Sequence, residues 1–197
     1  MLKASVTVLV TSYLLLLGAS AQATGTIDVP KGSAEVAFEA IGNPSALRIH
    51  GKTSEVEGSL TSALSAVTGQ FTCDLSTLST GIRMRDYHMT HRYLETDKFP
   101  KATLVLSSVG NLKSGSVVVA GTYPFQGQLE IHGVKKPVSG SLQLDAPKDG
   151  QAHFMASFKL KISDYGISIP SFAGITVANE VNLTVDGKAK LPPKDEF

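Results

Sequence analysis

The side chains best suited to chemistry crowd into one stretch, residues 80–99, which reads TGIRMRDYHMTHRYLETDKF. His88 and His91 lie three apart and Glu95 follows four later, so on a helix the three would share one face. Two imidazoles and a carboxylate at that spacing could offer three ligands to zinc. The established helical zinc signature instead sets two histidines four apart around a glutamate, a pattern this stretch lacks. His50, His132 and His153 fall on separate segments, so the histidines read as structural or surface residues and no metal is expected. Nucleophilic catalysis has less support: there is no G-x-S-x-G, and the serines fall mostly in turns or on polar strand faces. Asp86 with Glu95 or Asp97 could act as acid and base, but nothing in the spacing requires it. No enzymatic activity and no cofactor are expected.

Two further features keep two readings each. Arg83-Met84-Arg85-Asp86 places a carboxylate between cations near a helix start. It is either a charge favoured by the helix dipole with an arginine partner, or a polar clamp at a barrel mouth able to hold a ligand head group. Cys73 alternates with Phe71 and Leu75, which suits a buried thiol behaving as a small apolar side chain better than a reactive one. As the single cysteine it cannot form an intramolecular disulfide.

These residues must be positioned by strands. Alternation of period two recurs along the chain: Ala34, Val36 and Phe38 against Glu35 and Glu39; Leu129 and Ile131 against Gln128 and Glu130. The same rhythm sets Val138, Leu142 and Leu144, then Phe154, Phe158, Leu160 and Ile162, then Val181, Leu183 and Val185, on single faces. Gly42 to Ser45, Asn111 to Gly115, Lys135 to Pro137 and Pro147 to Gly150 read as turns. Short, regularly spaced strands argue for an all-β antiparallel sandwich or barrel. The exception is the histidine stretch, where helical spacing and Pro100 predict one short helix over 83–97. Small inward residues (Ala34, Ala40, Gly140, Ala156, Gly187 and Ala189) either leave room for a ligand or let the sheet coil tightly. Alternation alone does not decide between the two.

The 197 residues suit one domain. Lys3, an apolar run over Val6–Leu17 and the small residues Ala19 to Ala23 have the order of a cleaved secretory signal, with Ala23 preferred over Ala21 as the cleavage site. The run is shorter than the ~20 residues of a membrane-spanning helix. The expected organisation is a signal segment over 1–23, a barrel domain over 24–190 and a loose tail over 191–197. A net charge of +1 with scattered lysines and arginines gives no footprint for nucleic acid and no polybasic surface for anionic lipid.

Three ordered motifs carry a family resemblance. Leu78 to Met89 (LSTGIRMRDYHM), continuing to Lys98-Phe99-Pro100-Lys101-Ala102, resembles the strand-to-helix signature of YceI-like proteins. Gly127 to Val138 (GQLEIHGVKKPV) and Ser163-Asp164-Tyr165-Gly166-Ile167 are similar to that family's second and third motifs. The departures are Ile162 where an arginine is usual, Glu130 and Lys135 where threonine is usual, and Gly32-Ser33 in place of a His-Ser pair. They bear on head-group preference. The resemblance implies a single lipocalin-like barrel of about eight antiparallel strands, periplasmic or secreted, whose apolar lumen holds a polyisoprenoid or isoprenoid quinone. It favours an open interior.

On that basis the expected ligand contacts are Val36, Phe38, Leu129, Ile131, Leu142, Phe154, Phe158, Leu160, Leu183 and Val185, with Arg85, Asp86 and His88 as polar groups near the mouth. A membrane-protein partner for delivery fits this picture. The competing reading is a ligand-free barrel serving as a protein-interaction module of the cell envelope.

Overall fold

Residues with one apolar and one polar face pair into strands wherever the alternation is sustained, and here the strands close on themselves. The computed structural model describes residues 25–43, 47–63, 66–110, 119–172 and 175–192. The expected signal segment lies outside them, as do the turn at 111–115 and most of the tail. The strands are β1 (Gly25–Val29), β2 (Ala34–Asn43), β3 (Arg48–Thr53), β4 (Val56–Ala63), β5 (Ala66–Asp74) and β6 (Lys101–Val109). They continue as β7 (Gly121–Ile131), β8 (Val134–Leu144), β9 (Gln151–Lys161), β10 (Ser171–Phe172) and β11 (Ile175–Lys190). Eight of them, in the order β1-β4-β5-β6-β7-β8-β9-β11, form a closed antiparallel barrel, with Asp28 of β1 opposite Lys190 of β11. β2 runs along the rest of β11, from Ala34 opposite Gly187 to Asn43 opposite Thr176, and β3 pairs outside β2.

Register determines which side chains meet inside. Phe38 faces Gly51, Phe71 faces Gly58 and Phe125 faces Gly140 across neighbouring strands. At each of these glycines a Cβ would fall within 2.7 Å of the facing ring. Gly140 and Gly187 therefore do not leave lumen space: Phe125 covers the first and Ala34 abuts the second.

Two hairpins are I′ turns, which need positive φ at both central residues. His132 (φ 53°) and Gly133 (φ 73°) join β7 to β8, and Asp149 (φ 51°) and Gly150 (φ 73°) join β8 to β9. The turn expected at Lys135–Pro137 therefore falls three residues earlier. Pro137 lies within β8 opposite Gln128, where β9 does not pair with the other edge, so a residue lacking an N–H is tolerated.

The helix is shorter than the expected 83–97. Helix α1 (Arg83–Tyr87) runs into a π-helical turn over His88–Tyr93, with Leu94 N donating to Met89 O at 2.9 Å. Glu95 adopts φ 45°, and its carbonyl accepts from Lys98 N and Phe99 N. That left-handed residue stops the helix.

Gly51 gives a direct test of ring seating, because the atoms nearest an added Cβ there are side-chain atoms of Phe38 and Thr80. Gly51→Ala is expected to lower stability by about 1–3 kcal/mol, as overpacking does. In urea denaturation, Phe38→Leu in the same chain should recover part of that loss, whereas independent sites would simply add.

Candidate ligand cavity and the locked end of the barrel

The inner face of the barrel divides into two halves. One cavity of about 110 Å³, partly open to solvent, occupies the half away from the helix. Its rim includes Val67 at the start of β5, Val109 and Leu144 at the ends of β6 and β8, and Leu191 after β11. Phe71, Leu104, Phe125, Phe154 and Phe158 also line it, Phe125 in register with Val109 and Phe154 with Leu144, and Ala152, Ala156 and Ala189 supply the room. Every lining residue among the described ones is apolar, so none of them offers a bound chain a side-chain hydrogen bond. The other half is filled by Leu129, Val138, Tyr165 and Ile167, with Tyr93 and Leu94 of the helix region packed against them.

The residues expected to contact a ligand distribute across both halves. Leu142, Phe154, Phe158 and Val185 line the cavity. Val36, Phe38 and Ile131 pack against the same core without lining it. Leu129 and Leu160 belong to the filled half, and half-buried Leu183 sits in register between Phe38 and Phe158. Ala156 and Ala189, read as small inward residues, line it as well, and its remaining lining residues are outside the expected contacts. Among them Phe125 shares parity with Leu129, and Leu104 and Leu106 alternate along β6, so the same periodicity marks them. Cys73 is 9% exposed within the core, and burial, aided by the charge of Asp74, pushes its thiol up to about 11. That is an unreactive thiol.

Arg85, Asp86 and His88 stand on the helix and line no part of the cavity. Asp86 reaches back to accept hydrogen bonds from Thr80 N at 2.7 Å, from the Thr80 hydroxyl and from Ser79 Oγ at 2.8 Å. Arg85 donates to Thr80 Oγ1 at 2.7 Å and to Thr80 O at 3.0 Å. Burial alone would raise the Asp86 carboxyl. The Thr80 and Ser79 hydrogen bonds and the Arg85 charge outweigh it and hold the carboxyl below its ordinary value. The pair folds the Ser79–Gly81 turn against the helix start. Ser79 in turn bonds to Lys52 of β3, at 2.9 and 3.0 Å through the backbone.

The helix is fastened at its far end by Glu95. His132 Nε2 lies 2.7 Å from Glu95 Oε2, its Nδ1 is 3.3 Å from Tyr165 O, and Phe99 packs on its ring at 4.6 Å. Tyr165 is 2% exposed, and burial with the nearby Asp164 charge pushes its phenol up to about 12. Thus one residue from each sequence motif (Phe99 of the first, His132 of the second, Tyr165 of the third) meets at the closed end. Glu95 is drawn away from His88 and His91, while His91 packs on Tyr87 and stands 4.0 Å from Asp97. Among the described residues, no three His, Cys, Asp or Glu side chains converge as metal ligands.

Hydrogen bonds from Lys98 and then His132 hold the Glu95 carboxyl below its ordinary value of 4.5. Such a group stabilises the fold above its unfolded pKa, and that contribution is lost as pH falls through the lower folded value. Glu95→Gln is expected to unfold at lower urea than the wild type at neutral pH. The gap should close as the pH is taken below 4.5; a gap that stays constant with pH would contradict the lock.

Comparison with known proteins agrees with this architecture. A family model, the YceI-like domain, matches residues 26–189. A UPF0312 protein of Shewanella sp. (strain MR-4) is 31% identical over 117 residues, 54% of this chain, and the match spans 55% of that relative's length. The fold is similar to that of BcnA from Burkholderia cenocepacia, with TM-score 0.66 and 18% identity, covering 83% of this chain and 100% of that one. It is equally similar to a polyisoprenoid-binding domain from Saccharophagus degradans implicated in plant cell wall breakdown, with TM-score 0.66 and 15% identity, covering 84% and 98%. With its three motifs gathered at the closed end of an eight-stranded barrel, the chain belongs to the YceI-like family.

Proposed function

We propose that this protein is an extracytoplasmic carrier or binding protein for an apolar long-chain ligand, a polyisoprenoid or isoprenoid quinone, held in the barrel lumen. The observation that carries the reading is the wholly apolar lining of the cavity. Burial of apolar surface contributes about 25 cal/mol per Å², so each part of a prenyl chain that the lumen shields from water adds affinity against its ordering cost. Binding of this kind needs no catalytic group. The neighbour described as a polyisoprenoid-binding domain supports the same ligand class.

The signal-like segment over 1–23 supports placement in the periplasm or outside the cell. There the barrel shields the chain from water until a membrane-protein partner receives it. The second reading, a ligand-free interaction module, draws on the filled half around Leu129 and Tyr165.

Native mass spectrometry of the protein purified from its own cell envelope, followed by organic extraction, tests the carrier reading. The expected result is an added mass that resolves to a prenyl-chain lipid. Phe158→Asp, which puts a charge on the cavity wall, should abolish uptake. Met155→Asp, at an outward position 39% exposed, should leave it intact. An apo mass that persists after incubation with isoprenoids and quinones would replace the carrier with the interaction module.

A further inference from the structure

The cavity ends inside the barrel, and the side chains that end it can be named. Leu104 and Phe158 alone among the lining residues also pack against the filled half around Leu129, Val138, Tyr165 and Ile167. Phe125 meets Phe158 edge to face, with centroids 5.9 Å apart. Phe125 is itself 3% exposed and seated over Gly140, so it has little freedom to yield. The space between Phe158 and the rim, about 110 Å³, is less than the roughly 150 Å³ of an apolar cavity that holds benzene. It is room for the leading end of a chain, not for a coiled one.

We infer that the ligand enters chain-first from the end of the barrel remote from the helix, and that Phe158, braced by Phe125, is the floor that sets how much prenyl chain the lumen takes. This inference rests on the carrier reading above. Among the described residues no lining side chain can bond a polar head, which places the head group outside the rim near Val67, Val109 and Leu191. It is therefore far from Arg85, Asp86 and His88, whose helix covers the opposite end. A phenyl ring and an isoprene unit have similar bulk, so trimming Phe158 opens room for about one more unit, provided the site does not collapse.

The test incubates the full chain with prenyl alcohols from prenol, a single isoprene unit, to solanesol and measures retention of each by native mass spectrometry. Wild-type retention should rise with chain length and level off once the lumen is full. In Phe158→Ala, the levelling point should move to a chain about one isoprene unit longer, the size of the space opened. Phe158→Leu, which keeps more of the packing, should move it in the same direction and serves if the alanine variant does not fold. An unchanged levelling point in a variant that still binds would overturn the floor and leave the carrier reading standing. Failure of the wild type to retain any member would overturn both. Farnesol and farnesyl phosphate should be retained in the same ratio by wild type and His88→Ala; a changed ratio would overturn the orientation.

Discussion

Inward rings seated over glycines of the neighbouring strand are the contact on which the barrel depends. Phe38 on Gly51, Phe71 on Gly58 and Phe125 on Gly140 are opposed pairs in the register, and each glycine lacks space for even a methyl group. A one-residue slip of any of these pairs would bring two Cβ-bearing residues together and turn an inner face outward. The large-to-small pairing therefore fixes the register and keeps the strands close. It also consumes most of the interior. Space remains beside the alanines Ala152, Ala156 and Ala189, which line the cavity.

The two ends of the barrel consequently do different work. At one end the polar motif residues bond to each other: Asp86 to Thr80 and Ser79, Arg85 to Thr80, and His132 between Glu95 and Tyr165. Buried polar groups there are satisfied. Thr53 meets Thr77 at 2.6 Å, and Thr90 Oγ1 donates to Asp86 O at 2.9 Å. A fully bonded network of this kind rigidifies what it joins, and here it ties the helix across the barrel end. The other end keeps an apolar space with no polar side chain on its wall. The family motifs thus describe the closure, and the cavity is formed by residues outside them in type though interleaved with them in sequence.

That division explains what could be read from the sequence. Alternation gave the strands and their inner faces, because a period of two survives any tilt or twist of the sheet. Leu142, Phe154, Phe158 and Val185 follow from it, and so would Phe125 and Leu104. Depth along the barrel axis leaves no periodic trace. Leu129 and Leu160 have the same alternation as the cavity residues, yet they belong to the filled half. The helix end at Tyr93 was likewise hidden, since Glu95 leaves the helix for partners distant in sequence, notably His132. The I′ turn falls on His132-Gly133, ahead of the Lys135 to Pro137 cluster that reads as a turn, because His132 is held at positive φ. Its bonds to Glu95 and Tyr165 hold it there.

The separation of a ligand-holding half from a locked half is the central claim, and methyl-labelled NMR of the full chain with a prenyl alcohol bound tests it most directly. Intermolecular NOEs from the chain are expected to the methyls of Leu142, Leu144 and Val185 and to none of Leu129, Val138 or Ile167. Contacts from the prenyl chain to Leu129, Val138 or Ile167 would show that the barrel opens through its locked half, and the account would fail.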